Sequence, residues 1–235
     1  MSESPACWAV VPAAGRGRRM GTALPKQLLQ LGEVTVLEHS LNALYSLTTL
    51  AGLVLVSQEN RDIEAIAGRY LQHGLIRAPG GAERCHSVLN GLQALSTMAA
   101  DSDWVLVHDA ARPCVRTADL QKLIELASGH PVGGVLGVPA HDTMKRTDAD
   151  GAIQTTVVRQ HLWHAQTPQM FRFGRLREVL EAALQDGYEV TDEASAMEHA
   201  GEQPLMVEGH ADNLKITRPE DLPLAELYLR QQGRL

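Results

Sequence analysis

Apolar positions along the chain follow two alternating patterns. Short unbroken apolar runs recur at WAVVPA (Trp8 to Ala13), GLVLVS (Gly52 to Ser57), LIRAP (Leu75 to Pro79), DWVLVHD (Asp103 to Asp109) and GGVLGVP (Gly133 to Pro139). Between them, apolar residues return every three or four positions. Leu37, Leu41, Leu44 and Leu47 form one such set; Ile63, Ile66 and Tyr70, within Arg61 to Gln72, form another. Val88, Leu92 and Leu95 follow, then Leu120, Leu123, Ile124 and Ala127. Strand runs alternating with helical periodicity predict βα units. Strands apolar on both faces belong in a parallel sheet covered by helices on both sides. The expectation is an α/β fold with a Rossmann-like, doubly wound, mostly parallel sheet.

The alternation breaks after Pro139. HDTMKRTDADGAIQTTVVRQ (His141 to Gln160) is polar and β-branched, with Asp150-Gly151 at its centre. That composition predicts a β-hairpin. Its limbs lack a clean apolar face, so residues 139–160 read as a protruding β-hairpin, either an arm that packs on a second subunit or a solvated surface hairpin, and the arm is the expectation carried forward. Helical patterns return at Leu176 to Leu184 and Asp192 to His199. Pro204 to Gly209 and Asn213 to Thr217 read as late strands. Thr217, Pro219 and Glu220 predict a capping box that opens a last helix ending near Gln231.

Length and charge narrow the class. A chain of 235 residues with no low-complexity tract or internal repeat suits one domain, 1–235. Its formal net charge of −7 argues against nucleic acid or a membrane surface as partner. No apolar run approaches a membrane span, and MSESPACW lacks the features of a signal peptide. Three widely spaced cysteines, Cys7, Cys85 and Cys114, form no disulfide or zinc pattern, so a reducing cytoplasm is expected. The ten histidines show no HExxH or HxH spacing and read as structural or surface residues.

Against that acidic background, VVPAAGRGRRMGTALPKQ (Val10 to Gln27) is unusual. Gly15, Gly17 and Gly21 share one loop with Arg16, Arg18 and Arg19, and Lys26 follows. A strand running into glycines brings backbone N–H groups close to phosphate oxygens. Arginine forks and a lysine point charge suit a triphosphate. The loop is not a dinucleotide GxGxxG, because Met20 stands at the third glycine position, and it lacks the GK[ST] of a Walker loop.

The pattern AAGxGxRM followed by PK resembles nucleotidyltransferases that activate a phosphorylated small molecule with an NTP. Further segments narrow the resemblance: PGGAERCHSVLNGL (Pro79 to Leu92), VLVHDAARP (Val105 to Pro113), DTMKR (Asp142 to Arg146), TPQMF (Thr167 to Phe171), TDEASAME (Thr191 to Glu198) and ADNLKITRPEDL (Ala211 to Leu222). In this order they resemble the methylerythritol phosphate cytidylyltransferase family of isoprenoid biosynthesis, over nearly the whole chain. The loop alone would equally serve a ribitol 5-phosphate cytidylyltransferase. A non-catalytic nucleotide-binding regulator would not need Lys26, Arg159 and Lys215 together. The arm and TDEASAME favour methylerythritol phosphate as acceptor. Some relatives carry a fused cyclodiphosphate synthase domain; with the sequence ending at Leu235, that activity is not expected here.

The resemblance implies roles. Ala13, Ala14, Gly15 and Gly17 would lie along the CTP base and phosphates. Arg19 and Lys26 would brace the triphosphate and the transition state, while Arg16 and Arg18 read as solvated rim residues. Gly80, Gly81 and Ser87 would read cytosine; Ala82 departs from the family, which often has an acidic residue there. Asp109 and Ala110 would complete the nucleotide site, with Asp109 facing Mg2+ or a ribose hydroxyl, and an Asp109–Arg112 ion pair is compatible with either. Arg112, Thr143, Arg159, Thr167, Thr191 and Lys215 would hold the acceptor, Thr191 doubling as a helix N-cap. The implied partners are CTP, methylerythritol phosphate, Mg2+ held mainly by the triphosphate, and a second copy of the chain.

Overall fold

The computed structural model describes residues 5–15 and 24–235. The expected Arg16, Gly17, Arg18, Arg19 and Gly21 of the glycine loop lie outside the described residues. Strand β1 (Cys7–Pro12) is followed by a 3-10 turn (Lys26–Leu28), a short pair β2 (Gln30–Leu31) and β3 (Val34–Thr35), and helix α1 (Val36–Tyr45). Then come β4 (Leu50–Ser57), α2 (Arg61–Tyr70), β5 (Leu75–Pro79), α3 (Arg84–Leu95) and β6 (Trp104–Val107). The second half holds α4 (Thr117–Ser128), β7 (Gly133–Pro139), β8 (Met144–Thr147), β9 (Ile153–Val157) and β10 (Trp163–Arg172). Helices α5 (Phe173–Gln185) and α6 (Glu193–His199), strand β11 (Leu205–Glu208) and helix α7 (Asp221–Gln231) close the chain.

Seven strands form the central sheet in the order β11-β7-β10-β6-β1-β4-β5. All neighbours pair parallel except β10, which runs antiparallel to both β6 and β7. Alternation along each strand splits the core. Ala9, Val11, Leu53, Leu55 and Leu106 meet α1, α2 and α4 on one face. Val10, Val54, Val56, Val105 and Val107 meet α3, α5 and α6 on the other. This is the doubly wound, mostly parallel sheet that the apolar pattern predicts. Helix ends are set by local chemistry: Thr35 and Glu38 form a capping box on α1, and Asn60 caps α2.

Four expectations need correction. Asn213 to Thr217 is not a strand. Asn213 Nδ2 donates to Gln166 and to the Thr167 carbonyl, and Ile216 N–H donates to Ala111 O, so side chains rather than a ladder fix this segment. The α7 cap is built by Asp221, whose carboxylate accepts from Thr217 and Arg218, and not by Glu220. Thr191 is exposed and does not cap α6; Asp192 does, by accepting from Ser195 N–H. Strand β6 is shorter than Asp103 to Asp109: at its start the Asp103 carboxylate gathers Ala6, Ala100 and the Trp8 indole, and at its end Asp109 N–H donates to the Thr167 hydroxyl instead of to a neighbouring strand.

The hairpin at residues 139–160 is present as β8 and β9, paired only with each other. Asp148 accepts from Asp150 and Ala152 across the turn, and Gly151 sits at φ +85°, where a side chain would be strained. Every residue of β8 is exposed.

Candidate active site

In an open α/β sheet, ligands bind beyond the carboxyl ends of strands where the winding reverses. Here the chain winds outward from β1 through β4 to β5, then returns to place β6 on the other side of β1. A cavity of about 320 Å³ opens at this point. Its walls are Ala13, Ala14 and Gly15 after β1, Lys26 and Gln27, Gly81 to Arg84 with Ser87, Asp109 to Ala111 after β6, and Lys215. Seven of the expected described residues, Ala13, Ala14, Gly15, Gly81, Ser87, Asp109 and Ala110, therefore share one wall with Lys26 and Lys215. Among the described residues, a Cβ built on Gly15 meets nothing within 4 Å.

The turn before α3 is glycine for a different reason. A Cβ on Gly81 would lie 2.4 Å from His86 Cβ and 2.9 Å from Ser87 N, and one on Gly80 would lie 2.5 Å from Ala14 Cβ. Two loops thus close against each other with no room for a side chain. Ser87 locks the turn: its Oγ accepts from Gly81 N–H at 3.0 Å and donates to Glu83 O at 3.1 Å. The hydroxyl hydrogen is committed, which leaves the backbone edge of residues 81–83 facing the cavity.

A chain of charges runs beneath the cavity. Glu193, fully buried at the start of α6, takes a two-pronged bond from Arg84 at 2.6 and 3.0 Å. Arg84 Nε reaches Asp109 Oδ1 at 2.9 Å, and Lys215 Nζ meets Asp109 Oδ2 at 2.7 Å. Burial alone would raise the Asp109 pKa, but Arg84 and Lys215 outweigh it and hold this carboxyl far below the usual range. Burial also works against the Arg84 charge, and Glu193 and Asp109 reverse that too. The expected Asp109–Arg112 pair is present but long, at 3.9 Å.

Lys26 Nζ donates to Ile216 O at 2.8 Å, tying the segment after the glycine loop to the one carrying Lys215. Gln27, which sequence reading did not single out, is 3% exposed and donates to Ala13 O and Gly15 O at 2.7 and 3.1 Å. It holds the backbone exit of β1 in place. Arg84 and Glu193 were also missed, because an arginine after AE and an acid inside TDEAS carry no spacing signal of their own.

Other expected acceptor residues do not reach this cavity within one chain. Thr167 is 4% exposed and its Oγ1 accepts from Asp109 N–H at 3.0 Å. The same hydroxyl meets His108 Nδ1 at 3.1 Å, and His108 Nε2 meets Arg112 O at 3.1 Å. A carbonyl can only accept, so Nε2 carries the proton and Thr167 donates to Nδ1. Burial pushes the His108 pKa down to about 4, and the ring is neutral at ordinary pH. Thr167 therefore orients Asp109 rather than offering an open hydroxyl. Arg112 lies behind the wall with Nη1 on Asn213 O at 2.6 Å. Thr143 and Arg159 are exposed on the arm, where Arg159 donates to the His141 carbonyl.

Comparison with known proteins agrees with this geometry. The sequence model for the family 2-C-methyl-D-erythritol 4-phosphate cytidylyltransferase matches residues 7–231. Proteins of that name from Hahella chejuensis and Pseudomonas aeruginosa PAO1 are 49% and 51% identical, over 95% and 94% of this chain and 93% and 95% of theirs. A crystal structure of a 4-diphosphocytidyl-2C-methyl-D-erythritol synthase superposes with a TM-score of 0.84 at 38% identity, covering 97% of this chain and 100% of that one.

Proposed function

The chain belongs to the 2-C-methyl-D-erythritol 4-phosphate cytidylyltransferase family, and from that premise we propose how its own residues perform the reaction. The enzyme transfers the cytidylyl group of CTP to 2-C-methyl-D-erythritol 4-phosphate, giving CDP-methylerythritol and pyrophosphate for isoprenoid precursor synthesis. The observation that carries the residue assignment is the cavity at the β1/β6 reversal, where Lys26 and Lys215 share a wall with the backbone of residues 13–15 and 81–83.

CTP lies with its triphosphate on the exit of β1, against Ala13, Ala14, Gly15 and Gly17, and its base on the Gly81–Ser87 turn. The attacking group is the acceptor's phosphate. A phosphate monoester has a second pKa near 6, so it is largely dianionic at neutral pH and needs no strong general base. Asp109, paired with two cations, and His108, buried and neutral, are accordingly not used as bases. Catalysis rests on positioning and on charge stabilisation at the α-phosphorus. Arg19 and Lys26 stabilise the pentacoordinate phosphorus and the departing pyrophosphate. Lys215 aims the attacking phosphate, with Asp109 fixing its direction.

A divalent metal fits this site only when it arrives with the nucleotide. Both Asp109 oxygens already accept from cations, leaving one lone pair on each for a metal whose other ligands are phosphates and water. Mg2+ suits that ligand set, and its contribution when bound is to neutralise the triphosphate.

The acceptor half of the site is contributed by the arm of a second copy. Thr143 and Arg159 are outside this chain's cavity wall, and the arm presents Met144, Ile153 and Val158 at 37%, 64% and 76% exposure, as an interface would before assembly. Thr191 completes the acceptor side, while Arg112, with Nη1 held on Asn213 O, braces the wall from behind. The chain acts as one nucleotidyltransferase domain with residues 139–160 as its dimerisation arm. A cytoplasmic location is supported by three free, buried cysteines, and the −7 charge weighs against nucleic acid or membrane partners.

The test is pyrophosphate release with Mg2+, each NTP in turn, and either methylerythritol 4-phosphate or ribitol 5-phosphate. Release with CTP and methylerythritol phosphate alone is expected. Release with ribitol phosphate would overturn the acceptor assignment, and CTP binding without release from any pair would point to a regulator.

A further inference from the structure

The first turn of α3 carries a group of side chains that the transfer reaction does not use. Among the described residues, Glu83, Cys85 and His86 are the one cluster of three whose ligand atoms all lie within 4.8 Å of one another. Cys85 Sγ is 3.8 Å from Glu83 Oε2 and 3.7 Å from His86 Nδ1. Around a tetrahedral zinc ion, with bonds of about 2.3 Å to sulfur and about 2.0–2.1 Å to nitrogen or oxygen, neighbouring ligand atoms lie about 3.5 Å apart. The two separations from sulfur are thus within a few tenths of an ångström of that spacing, and the carboxylate and imidazole, within 4.8 Å of each other, close on the ion by a small side-chain adjustment.

Cys85 is only 4% exposed, yet it belongs to none of the apolar clusters that take up Val88, Leu92 and Leu95 of the same helix. Its sulfur faces a carboxylate and an imidazole instead. We propose that Glu83, Cys85 and His86 bind a zinc-class divalent ion at the rim of the nucleotide cavity, and that the bound ion inhibits the enzyme by weakening CTP binding. A thiolate, a carboxylate and a neutral imidazole together cancel the ion's charge, and the exposed side of Glu83 leaves a fourth position for water. Soft thiolate and imidazole ligands select zinc or cobalt over magnesium, so this site is distinct from the triphosphate-borne metal. The inhibition follows from connectivity. Ser87 Oγ bridges Glu83 O to Gly81 N–H, and residues 81–84 form the wall on which the base is placed. Glu83 itself lines the cavity, so an ion on its carboxylate, together with its bound water, takes up space at the rim that the nucleotide would occupy. The inhibition, though not the binding, rests on that placement of CTP.

The test uses the full chain, stripped with chelator and desalted, as wild type, Cys85→Ala, Cys85→Ser and His86→Ala. Co2+ is titrated while thiolate-to-cobalt absorption is followed, and zinc is then added to displace it. Wild type is expected to take up one ion with that absorption. The Cys85 variants should lose the absorption, and all three variants should bind zinc at least ~tenfold more weakly, since second-shell losses alone reach 10–100-fold. In steady state with Mg2+ in excess, zinc should raise the CTP KM of wild type and leave that of Cys85→Ala unchanged. Thiolate absorption that persists in both Cys85 variants, or wild type without such absorption, would overturn the site. A wild type that binds cobalt through Cys85 but shows no zinc effect on CTP KM would overturn the inhibition while leaving the site.

Discussion

Removing the Glu193 carboxylate should destabilise the enzyme at a point remote from the chemistry. Glu193 is fully buried and holds Arg84 by two bonds, at 2.6 and 3.0 Å. Glu193→Ala leaves Arg84 with Asp109 as its remaining partner while Asp109 is also claimed by Lys215. Breaking a buried pair from one side costs about 3–5 kcal/mol, because the surviving charge stays desolvated. The Arg84 side chain retains 27% exposure and can recover some water, which places the loss near the lower end, about 3 kcal/mol. For a chain of this size that corresponds to a Tm lower by roughly 6–12 °C. Glu193→Gln keeps the shape and one acceptor and should fall between the two. The assay is thermal and urea unfolding of the three proteins side by side, with CTP KM measured where all remain folded. Asp109 loses its brace, so CTP KM should rise in Glu193→Ala more than kcat falls. A Glu193→Ala protein whose Tm lies within about 2 °C of wild type would refute the claim that this chain of charges supports the cavity floor.

Two other outcomes follow from the site. His108 is fully buried with its pKa pushed down to about 4 from an ordinary 6.5, so the unfolded chain binds a proton that the folded one refuses between those values. Stability is unaffected above pH 6.5 and falls as pH drops through the window. The expected loss between pH 7 and pH 5 is about 2 kcal/mol by urea unfolding, and His108→Gln should flatten that part of the profile; an unchanged slope in the variant would contradict the assignment. Lys26→Ala should cut kcat by about 10²–10³-fold, the scale of losing one preorganised transition-state donor. An unchanged kcat with only a raised acceptor KM would refute its role at the α-phosphorus.

The sheet was legible in the chain because its strands are apolar on both faces and its helices carry clean periodicity. Strand β10 was not read as a strand: Trp163 to Arg172 mixes His164, Gln166, Thr167 and Gln169 among its apolar residues, and the last three are buried and bond to loops around the site rather than alternate with solvent. The segment Asn213 to Thr217 failed in the opposite sense. Its β-branched composition promised a strand, but Asn213, Ile216 and Lys26 exchange bonds across it that no ladder permits. Within the site, Lys26 and Asp109 stood out as charges beside a glycine turn and at a strand end, and Lys215 through the resemblance of its segment to the family. Arg84, Glu193 and Gln27 did not, because their value lies in partners 25, 109 and 14 residues away that only the fold brings together.

The central claim is that one chain holds the nucleotide and the arm of its partner holds the acceptor. Two variants, Lys26→Ala and Arg159→Ala, each carrying a different affinity tag, would be prepared alone and co-expressed. Each alone should be nearly inactive at low acceptor concentration. In a twofold dimer with random pairing, half of the dimers are mixed and each mixed dimer has one intact site, so the co-expressed sample should recover about a quarter of wild-type pyrophosphate release. Doubly tagged dimers with no more activity than the separate variants would show that Lys26 and Arg159 serve the same site from one chain, and the account of a shared site would fall.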